Sequence, residues 1–149
     1  MRVADICTPL TVHIDPTASV REAAKLMRER HVGAVVVVDR RNGTRAPAGI
    51  ITDRDIAISV VAPGVDPDAV TVHDVMSRPV VTCTEDQDVF DAIQTMRSHG
   101  VRRLPMLNAN GEFKGFVAAD DIYGALANEF RELSRALVRE QAREMETRA

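Results

Sequence analysis

Two stretches of this chain, residues 3–57 and 72–123, carry the same pattern, and this internal repeat limits the fold more than any other feature. Val3-Ala4-Asp5-Ile6 matches Val72-His73-Asp74-Val75, and Val20, Ala23 and Met27 match Val89, Ala92 and Met96 at a constant spacing of 69. Val32 matches Val101, Asn42-Gly43 matches Asn110-Gly111, Gly49 matches Gly115, and Asp55-Ile56 matches Asp121-Ile122. The spacing falls from 69 to 66 across the Asn-Gly turn, where the first copy has the longer loop. A period near 69 is too long for a solenoid repeat. Two copies imply two similar half-domains packed about a pseudo-twofold axis.

Each copy has one order of elements. A short apolar segment opens it (Leu10–Ile14; Val80–Thr84), and a helix follows. Ser19 and Glu22 form a capping box, with Asp88 and Asp91 a weaker analogue. Val20, Ala23, Ala24 and Met27, and Val89, Ala92, Ile93 and Met96, recur at helical spacing. A strand comes next, Ala34–Val38 or Leu104–Leu107; the unbroken Ala/Val run of the first copy implies burial on both faces. After the Asn-Gly turn a second strand (Gly49–Thr52; Gly115–Ala118) leads to a second helix near Asp53 or Ala119. The expected fold class is α/β: two pseudo-twofold-related β-α-β-β-α repeats plus an extended C-terminal helix. The expected divisions are repeat 1 over 1–61, a turn-rich linker over 62–71, repeat 2 over 72–124 and a helical extension over 125–149. From Asp120 to about Thr147 an apolar stripe (Ile122, Leu126, Phe130, Leu133, Leu137, Val138) predicts a helix of roughly 35–40 Å. That stripe needs a cover, either a second copy of the chain or the chain's own body.

Composition excludes several function classes. The 149 residues suffice for a real core, and 45% apolar with 28% charged residues fits a globular protein. A net charge of −3 argues against a nucleic-acid binder, and 3% aromatics with no Trp gives little for base stacking. No apolar run nears the ~20 residues of a membrane span, and the start Met1-Arg2-Val3-Ala4-Asp5 lacks a signal-peptide core. The expected location is therefore the cytoplasm, which also suits two distant cysteines, Cys7 and Cys83. His13, His31, His73 and His99 show no metal-ligand spacing; His13 and Cys83 do hold equivalent repeat positions and could approach near the pseudo-axis. No Walker A loop or nucleophile elbow is present, so no enzyme is expected.

The strings Ala23-Ala24-Lys25-Leu26-Met27, Gly49-Ile50-Ile51-Thr52-Asp53-Arg54-Asp55, Val101-Arg102-Arg103-Leu104-Pro105 and Gly115-Phe116-Val117 stand in order at matched spacing. With them the chain resembles tandem CBS (cystathionine-β-synthase) domain proteins, whose paired domains form a Bateman module. It is similar to the small stand-alone type of the bacterial hypoxic-response proteins. The resemblance implies regulation by an adenine nucleotide (AMP, ADP or ATP) held between the halves, with no required cofactor and an unknown regulated protein as partner; the apolar stripe of the last helix adds the expectation of a homodimer.

The residues offer two readings at each position. Thr52 and Asp55, at the end of a strand and the start of a helix, make a capping box; a carboxylate there can equally hold both ribose hydroxyls. Arg102 and Arg103 are either a solvated pair or a bidentate phosphate site. The first copy has Gly33-Ala34 there, so the fold itself does not require arginine. The resemblance pairs Thr52 and Asp55 (ribose) with Arg102 and Arg103 (phosphate) in one cleft. It puts Ile50, Val80, Val81, Val101 and Pro105 against the adenine, although plain core packing explains each as well. The second cleft keeps Asp121 but has Ala118 for Thr and Gly33-Ala34 for the arginines, so it is expected to be weak or empty.

Overall fold

The computed structural model of the chain describes residues 1–9, 12–41 and 43–148. In chain order it contains α1 (Val3–Ile6), β1 (Thr8–Pro9), β2 (His13–Ile14), α2 (Val20–Arg30), β3 (Ala34–Arg41), β4 (Thr44–Thr52) and α3 (Asp53–Ile56), which runs on as a π-helical turn over Ala57–Val61. Then follow α4 (Val72–Val75), β5 (Cys83–Thr84), α5 (Val89–His99), β6 (Arg103–Leu107), β7 (Phe113–Ala118) and α6 (Ala119–Arg148). Leu10, Thr11 and Asn42, from the expected first segment and turn, lie outside the described residues.

The two repeats form separate sheets, β2-β3-β4 and β1-β7-β6-β5. In each, a parallel pair (β2 with β3; β5 with β6) joins an antiparallel hairpin (β3 with β4; β6 with β7). The two long helices start as the sequence predicts. Ser19 accepts from Glu22 N while Glu22 accepts from Ser19 N, and Asp88 caps α5 by accepting from Phe90 N. Their buried faces, Val20/Ala23/Met27 and Val89/Ala92/Met96, cover one sheet each.

The packing units and the sequence repeats do not coincide. The leading helix of each copy crosses to the other: Val3 is buried in the second core, and Val72 and Met76 in the first. Val3 N donates to Gln87 O and Ala4 N to Glu85 O, while Val72 N donates to Ala18 O and His73 N to Pro16 O. These four bonds are related by the same 69-residue shift, so the pseudo-twofold extends to individual backbone contacts. The crossing chain also needs glycine. A Cβ on Gly115 would collide with Thr8 O and Cys7 Sγ, and one on Gly49 with the side chain of Met76.

The Ala/Val run behaves as its composition predicts. Val35 and Val37 face the first core, while Val36 and Val38 turn to the other repeat and bury against Phe113 and Leu107. The sheets therefore meet face to face along β3 and β6/β7, and whatever the halves share is built there. The expected strand Gly49–Thr52 begins earlier, at Thr44, because β3 itself extends to Arg41 and supplies a partner through the β-bulge at Val37/Val38. α6 covers the expected stretch and one residue more at each end, 30 residues or roughly 45 Å.

Candidate ligand-binding site

Thr52 ends β4 in an extended conformation (φ −116°, ψ 162°) and caps α3. Asp55 N donates to Thr52 Oγ1 at 3.1 Å, and Thr52 N donates to Asp55 Oδ2 at 2.9 Å. The capping box is thus formed, and both residues are half-buried. It occupies one carboxylate oxygen only; Asp55 Oδ1 has no hydrogen-bond partner among the described residues. The equivalent corner of the second repeat keeps half of this arrangement. Ala118 N donates to Asp121 Oδ2 at 2.9 Å, but Ala118 has no hydroxyl to return the bond.

The arginines differ from one another. Arg102 Nη2 meets Asp120 Oδ1 at 3.3 Å on the surface of its own repeat, with both side chains about three-quarters exposed. Arg103 opens β6 and crosses to the first repeat. It lines a crevice with Ala34, Val35, Val36 and Ile50 from one side and Pro105 and Phe116 from the other. The pseudo-symmetry pairs these walls: Ala34 with Arg103, Val36 with Pro105, Ile50 with Phe116. Arg103 is the polar exception, placed where the other wall has a methyl group. Ala34 is also the cross-strand partner of Thr52, which sets the strand end carrying Thr52 and Asp55 beside the crevice, while neither Thr52 nor Asp55 lines it.

Of the five apolar positions, only Ile50 and Pro105 line this crevice. Val81 and Val101 pack against the second core instead, and Val101 also borders a groove between α5 and α6. Val80 is half-buried ahead of β5. The five do not form one pocket, because Val101 follows the turn that ends α5 and stays on that helix's side of the sheet. Phe116, Ala34 and Val36 are crevice residues that sequence reasoning missed. The matches Ile50/Phe116 and Val36/Pro105 in the repeat were the available signal. The crevice is narrow, a cavity of about 10 Å³, far below the ~300 Å³ and more of a small-molecule pocket.

His13 and Cys83, though equivalent in the repeat, sit in different surroundings. His13 Nε2 lies 2.9 Å from Arg45 Nη2 at the edge of the first sheet, whereas Cys83 is buried in the second core with its thiol directed at Leu104 O and Pro105 O. Burial pushes the Cys83 thiol up to about 12 and the Cys7 thiol up to about 11, the latter helped by the Asp121 charge. Neither is a thiolate at neutral pH. Among the described residues no cluster of three or more His, Cys, Asp or Glu could hold a metal, and no helix is long and apolar enough to cross a membrane.

The family model for the CBS domain matches this chain twice, over residues 3–62 and 72–128. The chain is 44% identical over 107 residues to the uncharacterized protein MK0525 of Methanopyrus kandleri, covering 72% of this chain and 53%, about half, of that relative. It is 36% identical to the CBS domain-containing protein YhcV of Bacillus subtilis, covering 80% of this chain and 81% of the relative. Among solved structures it is similar to Hypoxic Response Protein I, described with two coordinated zinc ions: TM-score 0.71, 26% identity, 83% of this chain and 97% of that one. Two crossed β-α-β-β-α units around a shared crevice, each matched by the same model, define a CBS domain pair. The chain belongs to the CBS domain family.

Proposed function

We propose that this CBS pair is a regulatory sensor of an adenine nucleotide, AMP, ADP or ATP. The observation that carries the reading is Arg103. A guanidinium without an ion pair among the described residues stands at the mouth of the crevice, where the pseudo-symmetric position is Ala34. A phosphate supplies the bidentate acceptor that such a group lacks. The open Oδ1 of Asp55, with Thr52, suits a ribose diol, and Ile50 and Pro105 offer apolar walls to a base. Arg102 joins the phosphate by exchanging a solvent-exposed ion pair, which costs little. The Asp121 corner has neither hydroxyl nor arginine, so one site per chain is proposed.

The narrowness of the crevice gives this reading its mechanism. A nucleotide cannot enter a 10 Å³ gap unless the facing sheets separate or Arg103 swings out. Ligand binding is then coupled to the angle between the halves, by as much as the affinities for the closed and open forms differ. A regulated protein reads that angle, and the module itself needs no catalysis and no cofactor. A second reading is favoured by the same narrow gap and by the projecting α6: a dimerising adaptor whose clefts are vestigial. A thermal-shift panel of AMP, ADP, ATP, adenosine and S-adenosylmethionine at millimolar concentration separates the two. A nucleotide at 100 times its Kd adds about 2.7 kcal/mol of stability and raises the melting temperature. No shift with any nucleotide leaves only the adaptor.

A further inference from the structure

The first sheet has an open flank that the second lacks. β2 ends at Ile14, opposite Val37, while β3 runs on to Arg41. Residues 38–41 therefore pair with β4 on one side and with no described strand on the other. In the second repeat β6 stops at Leu107, level with Thr84 of β5, and leaves no such overhang. The longer hairpin of the first copy thus creates a cavity of about 530 Å³ between α2 and the end of β3, within the ~300–1,000 Å³ range of small-molecule sites. Its floor is apolar: Ile14 is 9% exposed and Val38 5%, with Leu26 of α2 half-buried beside them. It shares no lining residue with the crevice between the repeats.

The rim of this cavity carries charge. Arg40 and Arg45 are directly opposed across β3 and β4, and both line it. Like charges at opposed positions destabilise a hairpin, yet neither arginine makes an ion pair among the described residues. Arg45 Nη2 lies instead 2.9 Å from His13 Nε2. Burial, then Arg45 and Arg40, hold His13 below its ordinary range, so the ring is uncharged at neutral pH and accepts from Arg45. Lys25 adds a third cation from α2, where the second repeat has Gln94. Three acids complete the rim. Asp15 Oδ1 already accepts from Thr17 N and Oγ1, and Glu22 Oε2 from Ser19 N, which leaves Glu29. Acids and cations balance in number, so the cavity suits one oxyanion rather than a polyanion. The chain as a whole shows the same asymmetry: residues 1–61 hold nine Lys/Arg against seven Asp/Glu, and residues 62–149 ten against fifteen.

We propose that this cavity binds a small organic oxyanion, a carboxylate or a phosphate monoester, with its anionic group between Arg40 and Arg45 and its apolar body on Ile14, Leu26 and Val38. Guanidinium groups make bidentate bonds to either oxyanion, and an anion between them relieves the repulsion across the hairpin. The site stands whether or not the crevice takes a nucleotide. Benzoate and phenyl phosphate are the probes, titrated into the isotope-labelled full chain and followed by its amide resonances, with benzyl alcohol as the uncharged control. At least one anion should give saturable shifts at Ile14, Leu26, Val38 and Arg45 at millimolar concentration, while Thr52, Asp55 and Arg103 stay still. The tighter of the two tells carboxylate from phosphate. Arg40→Gln/Arg45→Gln should weaken that anion roughly tenfold or more and leave the melting temperature unchanged or higher. Lys25→Gln removes a charge from the opposite wall without touching the hairpin and should weaken it roughly threefold. Absence of saturable shifts with both anions, equal shifts with benzyl alcohol, or an affinity unchanged in both variants overturns the proposal.

Discussion

Replacing Arg103 by alanine tests the ligand reading where it is most specific. In the free protein Arg103 makes no ion pair among the described residues and is more than a third exposed, so its removal should leave folding stability unchanged. In the complex it would make a charge-assisted bond to phosphate, worth about 1.5–3 kcal/mol. Its exposure favours the lower end, because solvent screens the interaction. About 1.5 kcal/mol is roughly a tenfold loss of AMP affinity. Adenosine has no phosphate, and its affinity should change by less than about twofold. Arg102→Ala is the internal control. Arg102 must first leave Asp120, and exchanging one surface pair for another is worth about 0–1 kcal/mol, at most a fivefold effect. Asp55→Asn should weaken AMP and adenosine alike, since the ribose is common to both. Isothermal titration of the four proteins with both ligands gives the comparison. Equal losses for AMP and adenosine in Arg103→Ala, or no loss for AMP, would refute the assignment of Arg103 to the phosphate.

Three further outcomes follow from the packing and the titrating groups. Gly115→Ala forces a Cβ into Thr8 O and Cys7 Sγ where β1 docks on β7; overpacking of this kind costs about 1–3 kcal/mol, and an unchanged urea midpoint would disprove the crossing contact. The buried Cys83 thiol, raised to about 12, should react with Ellman's reagent far more slowly in the native protein than in guanidinium; rapid native reaction of both cysteines would contradict the burial. Burial, then Arg45 and Arg40, hold His13 below its ordinary 6.5 in the folded chain. Its contribution is therefore present above pH 6.5 and is lost as pH falls through that value and on toward the lower folded pKa. His13→Gln should flatten the dependence of the unfolding midpoint between pH 7 and 5, and an unaltered slope would show that His13 is not responsible.

What could be read from the sequence was local or periodic. Ser19 with Glu22 fixes the start of α2 through bonds three residues apart, and Val35–Val38 announces a strand buried on two faces because no polar residue interrupts it. The length of α6 follows from an apolar stripe with no proline to break it. What could not be read is non-local. Val3 and Val72 match in the repeat, but nothing in the match says that each docks on the other copy's core; that choice rests on backbone bonds to residues 87 and 18, far along the chain. Arg102 and Arg103 are adjacent, yet one pairs with Asp120 and the other crosses to Ile50, because neighbouring residues at a strand entrance point apart. Val101 entered the expected adenine wall by analogy of position, and its place against the second core is decided by the end of α5.

A crystal of the full chain grown with millimolar AMP addresses the central claim most directly. The account predicts one nucleotide per chain in a widened crevice, its phosphate on Arg103, its ribose on Thr52 and Asp55, and nothing at Asp121. A crevice still closed around Ile50, Pro105 and Phe116, with Arg103 turned to solvent and no ligand bound, would contradict it.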